Sequence, residues 1–200
     1  YFADENKTYL GAIAAADVLK PDTVDAIRQL HSQRLRVVML TGDNVQTANA
    51  IGAKLGVTEV QASLLPEDKE KVVERLQSDG RKVMMVGDGI NDAPALAVSD
   101  IGMAVGAGTD IAIDSADVVL AGNSICDIAY AVRLSRAVLR NIKENLFWAF
   151  CYNTICIPVA AGILYPAFGI LLTPMIAGAA MSMSSLCVVS NALRLRTKKL

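Results

Sequence analysis

The chain has 200 residues, 53% of them hydrophobic, and a formal net charge of −1. This length allows one ordinary domain and little more, and a mean hydropathy of +0.39 is high for a soluble domain. All twenty acidic residues and fifteen of the nineteen basic residues precede Asn145, so this part is net acidic, which argues against a nucleic-acid-binding protein. Residues 145–193 contain no Asp, Glu, Lys, Arg or His. The chain therefore divides into a charged part and an uncharged part.

The charged part alternates strand-like and helix-like segments. In chain order these are the strand TYLGAIAAA, the helix PDTVDAIRQLHSQ, the strand RVVMLT, the helix NVQTANAIGAKLG, the short strand-like EVQASL, the helix PEDKEKVVERLQSDG, the strand KVMMVG, a helix after Asn91, and the β-like DIGMAVG and DVVLAG. A long helix follows from about Ser124. Because the strands lack polar alternation and amphipathic helices follow them, the pattern predicts an α/β, Rossmann-like parallel sheet. A site is then expected at the carboxyl ends of the strands.

The uncharged part is long enough for two membrane-spanning helices, because each span requires about 20 apolar residues. We place the spans at about 146–164 and 171–193, interrupted by YPAFGI and TP. Basic residues flank this hairpin on both sides, namely Arg133, Arg136, Arg140 and Lys143 before it and Arg194, Arg196, Lys198 and Lys199 after it. The positive-inside tendency then predicts a cytoplasmic location for the charged part and for the basic C-terminus. The alternative is a buried helical hairpin of a large soluble protein.

Two glycine-containing turns follow strands and carry polar side chains. Thr41, Gly42 and Asp43 follow RVVML, while Asp88 and Asn91 follow KVMMVG. Because the carboxyl ends of parallel strands share one edge of a sheet, we expect the two turns to converge. Glycine allows backbone N–H groups to approach an anion, and a helix N-terminus favours negative charge. Asp88 supplies the hard oxygen that Mg²⁺ prefers. The two turns therefore predict a magnesium-dependent phosphate site.

The segment LLPEDKEK adds a cation to this prediction. Pro66 suits the first helical position, which places Lys69 one turn into the helix, from where it reaches over the strand ends towards a phosphate. Asn91 can donate to a phosphate oxygen, and Asp92 can position the lysine.

These three segments together resemble a known family. TGDN at 41–44, PEDK at 66–69 and GDGINDAPAL at 87–96 are similar to the phosphorylation-domain motifs of P-type ATPases, which are members of the haloacid dehalogenase superfamily. The last motif is highly specific. In that family ATP phosphorylates an aspartate, and hydrolysis of the aspartyl phosphate is coupled to ion transport across a membrane. The hairpin resembles the last two membrane helices of the heavy-metal branch.

The resemblance implies a role for each matching residue. Thr41 and Gly42 would hold the transferred phosphoryl group, and Asp43 would lie near the nucleotide and Mg²⁺. Lys69 would neutralise the phosphoryl charge and Asp88 would bind Mg²⁺. The remaining two, Asn91 and Asp92, would complete the phosphate cradle.

The resemblance also predicts that parts of the protein lie outside this chain. The family's phosphorylated aspartate stands in Asp-Lys-Thr-Gly-Thr, and this string is absent here. We expect it upstream of Tyr1, with a nucleotide-binding domain, a dephosphorylation domain and metal-binding membrane helices containing Cys-Pro-Cys. The fragment is therefore not expected to hydrolyse ATP alone. The alternatives are a membrane-tethered phosphatase and a non-catalytic regulatory module that lacks the nucleophile.

Polar residues within the hairpin predict the transported ion. Polar groups inside a membrane are costly and indicate a transport pathway or a helix contact. Met181 and Ser185 share one helix face, and a thioether is a soft ligand that suits Cu(I). Together with Tyr152 and Asn153 they match the copper-transporting subgroup, and the uncharged part has no carboxylate for a harder divalent ion. The alternative cargo is Ag(I) or another heavy metal.

We therefore expect an integral protein of the inner or plasma membrane. Its phosphorylation-domain part would cover 1–123, a connecting helix 124–144, and the membrane hairpin with its basic tail 145–200. The expected partners are the upstream segments of the same ATPase, the lipid bilayer and a copper chaperone. The four cysteines show no CxxC spacing and are expected to pack as small apolar side chains.

Overall fold

The computed structural model describes residues 2–3, 5, 8–11, 19–106, 113–122, 124–169 and 173–197. These residues form two units, 1–129 and 130–200. In the first unit the helices and strands are, in chain order, β1 (Phe2–Ala3), β2 (Tyr9–Gly11), α1 (Thr23–Ser32), β3 (Val38–Leu40), α2 (Val45–Leu55), β4 (Glu59–Gln61), α3 (Pro66–Ser78), β5 (Met84–Gly87), a 3₁₀ turn (Ile90–Asp92), α4 (Ala93–Val98), β6 (Ile101–Val105) and β7 (Val118–Leu120).

Hydrogen bonding divides the strands into three groups. β3 pairs with β4, and β5 pairs with β6, which pairs with β7; all of these pairs are parallel. The short β1 and β2 pair antiparallel. Among the described residues no ladder joins β3 to β5, so each of these strands has one unpaired edge. The parallel α/β fold predicted from the sequence is confirmed, but its sheet is in two pieces.

A shared core relates the two parallel pieces. Val73 of α3, Met85 of β5, and Ala95 and Leu96 of α4 form a buried cluster, and Leu40 of β3 packs against it. Parallel strands without polar alternation are apolar on both faces, and helices cover those faces in this way. The ends of β3 and β5, which carry the two polar turns, are therefore attached to the same core.

Local sequence explains where the helices near the site begin and end. Asn44 caps α2, because its side-chain oxygen accepts a hydrogen bond from the Thr47 N–H group at 2.9 Å. Gly56 ends this helix with φ +69°, a left-handed conformation that glycine adopts without a steric penalty. Pro66 occupies the first turn of α3, where a missing N–H group costs nothing. These caps place the turns at 41–44 and 63–65 beside helix starts.

Asp100 connects the end of α3 to the start of β5. Its carboxylate accepts hydrogen bonds from the Lys82 ammonium at 2.7 Å, the Val83 N–H group at 2.9 Å and the Gln77 amide at 3.2 Å. The Lys82 hydrogen bond, followed by the other two, lowers the pKa of Asp100 to about 2. The carboxylate therefore fixes the direction in which β5 enters the sheet.

The second unit consists mainly of two long helices. α5 (Cys126–Ala160) begins in the first unit and continues into the second, where α6 (Tyr165–Phe168) and α7 (Pro174–Thr197) follow it. Three asparagines join α5 to α7. The Asn141 amide donates to the Asn191 carbonyl oxygen at 2.8 Å, the Asn191 amide donates to Asn145 Oδ1 at 2.8 Å, and the Asn145 amide donates to Asn141 Oδ1 at 3.2 Å.

The predicted membrane hairpin is not shown by this structure. Within 124–169 and 173–197, no helix combines the length and the apolar character that are needed to cross a bilayer. The helix boundaries also differ from those expected. α5 ends at Ala160 rather than at 164, in a turn where Gly162 has φ +85°, and α7 begins at Pro174, while 170–172 lie outside the described residues. The strand predicted as TYLGAIAAA is seen only as Tyr9–Gly11, because 12–18 are also outside that description.

Candidate phosphoryl site

The turn after β3 is closed by its own side chains. The Thr41 hydroxyl donates to Asp43 Oδ2 at 2.9 Å, and the Asp43 N–H group donates to Thr41 Oγ1 at 3.1 Å. Gly42 and Asp43 are exposed, and Thr41 is half-buried. The turn therefore presents backbone and a carboxylate to solvent directly before the N-terminus of α2, where the helix end itself favours negative charge.

This turn is hydrogen-bonded to the segment that leads into α3. The Ser63 N–H group donates to the Asp43 carbonyl oxygen at 2.8 Å, and the Leu64 N–H group donates to the Thr41 carbonyl oxygen at 3.1 Å. At the start of α3, Asp68 accepts a hydrogen bond from the Leu65 N–H group at 3.2 Å. The hydrogen bond from Lys71, and then the one from Leu65, lower the pKa of Asp68. Backbone hydrogen bonds thus join the TGDN turn to Ser63 and Leu64, which lead directly into the PEDK segment.

Lys69 and Asp92 form an ion pair that joins the PEDK segment to the turn after β5. Lys69 Nζ lies 2.7 Å from Asp92 Oδ1, and the two side chains are only 17% and 13% exposed. An attraction between opposite charges is stronger where there is little solvent around them, because the lower dielectric reduces screening. The contact that was expected between Asp92 and this lysine is present, and the roles of the two residues in phosphoryl chemistry stay a prediction.

Gly87 allows Asp92 to lie close to the end of β5. A Cβ atom at Gly87 would stand 2.6 Å from the Asp92 Cβ atom and 2.7 Å from its Oδ2 atom. Real Cβ atoms do not approach other heavy atoms this closely. Glycine at this position is therefore needed for the observed packing of Asp92 against the strand.

Asp88 and Asn91 are exposed at the same turn. In the described part of the chain, neither side chain makes a hydrogen bond or ion pair. The same part contains no group of three or more His, Cys, Asp and Glu side chains that could hold a metal ion by themselves. Mg²⁺ in phosphoryl-transfer sites uses one or two carboxylates together with phosphate oxygens. An exposed, unpaired Asp88 carboxylate fits this mode of binding.

The predicted cargo ligands are divided between two helices, with Tyr152 and Asn153 on α5 and Met181 and Ser185 on α7. The Asn153 amide donates to the Ala149 carbonyl oxygen at 3.0 Å, and the Ser185 hydroxyl donates to the Met181 carbonyl oxygen at 3.2 Å. The latter contact agrees with Met181 and Ser185 sharing one helix face, where Met181 is 74% exposed. The Asn153 and Ser185 oxygens and the Met181 thioether therefore remain available as ligands. Asn153 offers its oxygen from α5, whereas Met181 and Ser185 offer theirs from α7.

Tyr152 has a partner that the sequence did not indicate. Its hydroxyl oxygen lies 3.8 Å from the sulfur of Cys187. The two residues are 35 positions apart, and Cys187 was expected only to pack as a small apolar side chain. No local spacing connects a residue of α5 with one of α7, so only the pairing of the helices reveals this contact.

Comparison with known proteins agrees with the motif-based prediction. Two sequence families, both described as haloacid dehalogenase-like hydrolases, match residues 2–100 and 69–132. A copper-exporting P-type ATPase of Vibrio cholerae is 54% identical over 190 residues, covering 95% of this chain and 21% of that protein. The chain is a homologue of copper- and silver-exporting P-type ATPases. A silver-exporting P-type ATPase of Salmonella typhimurium is 51% identical over 95% of this chain and 23% of its own length.

A solved structure supports the same relationship at the level of the fold. A zinc-transporting PIB-type ATPase in its E2.Pi state matches 90% of this P-type ATPase homologue and 28% of its own chain, with 38% identity and a TM-score of 0.79. The homologue spans between about a fifth and a quarter of the length of the relatives that it matches. It therefore corresponds to a segment of those proteins.

Proposed function

We propose that this chain is the C-terminal portion of an ATP-driven Cu(I) transporter, in which formation and hydrolysis of an aspartyl phosphate drive metal movement across a membrane. The observation that carries the proposal is the convergence of three motif segments on one site. The turn at 41–43 is bonded to the entry of α3, and Lys69 of α3 is paired with Asp92 of the turn after β5. Phosphoryl transfer depends mainly on such positioning and charge neutralisation.

Each residue of the site has a role that follows from its surroundings. Thr41 holds the phosphoryl group through its hydroxyl, and Gly42 holds it through its accessible backbone. To reach the phosphoryl group, the Thr41 hydroxyl turns away from Asp43. Lys69, which Asp92 holds in place, neutralises negative charge on the phosphoryl group. Asn91 donates from its exposed amide. Asp43 contacts the nucleotide side of the site.

Asp88 would hold Mg²⁺, which supplies charge neutralisation at the phosphoryl oxygens. Its support is the exposed carboxylate at the end of β5, which has no other described partner. The transferred group comes from ATP, bound by a nucleotide-binding domain outside this chain.

The phosphorylated aspartate must come from another segment, because the chain contains no Asp-Lys-Thr-Gly-Thr string. The unpaired edges of β3 and β5 support a place for it. A strand that pairs there would join the two pieces of the sheet and end between the two polar turns. The upstream parts of the same ATPase, with its nucleotide-binding and dephosphorylation domains and further membrane helices, are thus the proposed partners, and the fragment alone is inactive.

We assign the hairpin to the membrane as part of this proposal. Its support is the uncharged stretch 145–193 and the apolar side chains that both helices expose. Examples at more than half exposure are Phe147, Phe150, Ile155, Ile157, Leu186 and Val189. Water does not favour such a surface, so lipid or the remaining membrane helices would cover it. The basic residues on both flanks support a cytoplasmic location for the charged part and the C-terminus.

Cu(I) is the proposed cargo, with Tyr152, Asn153, Met181 and Ser185 as contributors to its path. Its support is the thioether of Met181, the lack of carboxylates in 145–193 and the copper-exporting relatives. Because the four side chains include only one thioether, that of Met181, further soft ligands would come from upstream helices. Ag(I) is the second candidate, since it shares this ligand preference and one relative is named as a silver exporter. A copper chaperone is the proposed delivering partner.

Metal-stimulated ATP hydrolysis by the full-length protein tests the cargo. We expect stimulation by Cu(I) and Ag(I) but not by Zn(II) or Co(II), and its loss in Met181→Ala. Met183→Ala is the matched control, because Met183 is exposed on another face of the same helix. Stimulation by Zn(II), or an unchanged Cu(I) response in Met181→Ala, would contradict the assignment.

Phosphoenzyme formation from ATP tests the catalytic site. We expect Asp88→Asn to lower the phosphoenzyme level by about a hundredfold or more, because it removes the charge that holds Mg²⁺ at a developing anion. Asp79→Asn removes the same charge at an exposed position after α3 and should behave as the unsubstituted protein. Equal phosphorylation of Asp88→Asn and Asp79→Asn would refute the role of Asp88.

A further inference from the structure

Asp22, which directly precedes α1, binds the start of the long helix α5. One carboxylate oxygen, Oδ2, accepts hydrogen bonds from the Ser124 hydroxyl at 2.6 Å, from the Ile125 N–H group at 2.8 Å and from the Cys126 N–H group at 3.4 Å. The first N–H groups of a helix have no partner within it. A residue more than a hundred positions away thus caps α5. The Ser124 hydrogen bond is the main cause that lowers the pKa of Asp22.

Two glutamines extend this contact along α1. The Gln29 amide donates to Cys126 Sγ at 3.8 Å, and the Gln33 amide donates to the Ala129 carbonyl oxygen at 3.0 Å. Positions four apart lie on one helix face, so both glutamines point to the same neighbour. Ile128 and Ala129 of α5 are buried here. The first turn of α5 is therefore held by Asp22 before α1, Gln29 near the end of α1 and Gln33 directly after it.

The opposite side of α1 leads to the candidate phosphoryl site. Nε2 of His31 lies 3.0 Å from the Gly56 carbonyl oxygen at the end of α2, and α1 packs against α2. α2 itself begins at Asn44, next to Asp43 of the turn after β3. A continuous series of contacts thus runs from that turn through α2 and α1 to the start of α5.

We propose that Asp22 is a positioning residue that couples the phosphoryl site to the long helix by fixing α1 to the first turn of α5. This inference rests on the proposed function. A change in the turn at 41–43 on phosphorylation moves α2 and α1 as packed bodies. The start of α5 follows, because the N–H groups that have no partner within the helix donate to Asp22. Without this cap the first turn of α5 unwinds locally and absorbs the displacement. α5 has 35 residues and is therefore about 50 Å long.

Kinetics of the full-length protein provide the first test. In Asp22→Ala we expect phosphoenzyme to form to within about two-fold of the unsubstituted level. Its decay and metal-stimulated turnover should slow by about five-fold or more, the size of a typical coupling between sites. Asp22→Asn should restore turnover, because asparagine caps helices as well as aspartate does. Asp25→Ala is the control, since Asp25 lies in the first turn of α1, close to Asp22, and within the described part of the chain pairs only with exposed Arg28.

A merely structural role predicts a different result. Phosphoenzyme level and turnover would then fall in parallel with thermal stability, or all three would remain unchanged, and either result would overturn the proposal. Failure of Asp22→Asn to recover more turnover than Asp22→Ala would also overturn it, because both variants remove the charge and only one retains the cap.

Hydrogen exchange separates this inference from the proposed function. Beryllium fluoride with Mg²⁺, a phosphoryl mimic, should change amide exchange at 124–129 in the unsubstituted protein and in Asp25→Ala but not in Asp22→Ala. The same response in Asp22→Ala, or none in the unsubstituted protein, refutes the coupling. If the unsubstituted protein shows the response but forms no phosphoenzyme from ATP, the proposed function fails and the coupling stands. If phosphoenzyme forms without the response, the coupling alone fails.

Discussion

Replacement of Gly87 by alanine tests whether the close packing of Asp92 against β5 holds the candidate site together. The new Cβ atom would stand 2.6 Å from the Asp92 Cβ atom, 2.7 Å from its Oδ2 atom and 2.9 Å from its Cγ atom. The position of a Cβ atom is set by the backbone, so rotation of the Asp92 side chain cannot relieve the first contact. The end of β5 or the 3₁₀ turn at 90–92 must therefore move.

The size of the effect follows from these distances. Ordinary carbon–carbon contacts lie at about 3.5–4.0 Å, so the two segments must separate by about 1 Å. Forcing a methyl group into a packed site costs about 1–3 kcal/mol. Because about 1.4 kcal/mol corresponds to a factor of ten, local opening of 84–98 should become about 5- to 150-fold more frequent. The same shift draws Asp92 away from Lys69 and weakens the ion pair.

Amide hydrogen exchange of residues 84–98 in the full-length protein measures this local opening. Gly89→Ala is the matched control, because Gly89 has an extended backbone with φ −122° and a Cβ atom there would meet nothing nearer than 4.0 Å. We expect protection to fall in Gly87→Ala and to change little in Gly89→Ala. Equal protection in both variants, or an equal loss in both, would show that the approach of Asp92 to Gly87 does not control this segment.

Three further predictions concern individual contacts. Lys69→Ala and Asp92→Ala should show a coupling of about 0.5–3 kcal/mol in a double-mutant cycle of exchange protection, and strict additivity would contradict a functional ion pair. The lowered pKa of Asp100 contributes stability that is fully present above its ordinary value of 3.8 and is lost as the pH falls towards 2. In acid unfolding experiments Asp100→Asn should not show this loss of stability. Identical acid unfolding profiles for the variant and the unsubstituted protein would contradict the prediction. Asn191→Ala removes the 2.8 Å hydrogen bond to Asn145 and should cost the hairpin about 0.5–1.5 kcal/mol, measured by exchange at 141–145.

Local sequence predicted the family and most of the parallel α/β elements. Short apolar strands, a helix beginning near Asn44 and Pro66 in a first helical turn depend on neighbouring residues only, and each is observed where its pattern indicated. The GDGINDAPAL motif likewise led to the family that the comparisons support. The membrane spans were less predictable, because hydropathy indicates where apolar residues lie but not where a helix ends, and α5 ends at Ala160.

The sequence by itself determined which residues are candidates for phosphoryl chemistry, because turn and cap preferences act over a few neighbouring positions. Only the tertiary structure decided which candidates meet. It brought Lys69 to Asp92, a contact that the motifs had suggested, joined Asp22 to the start of α5 and, among the described residues, left β3 and β5 in separate ladders. These contacts link residues that are 23 to 103 positions apart. Their formation depends on how helices pack over strands, and no local pattern of residue types contains that information.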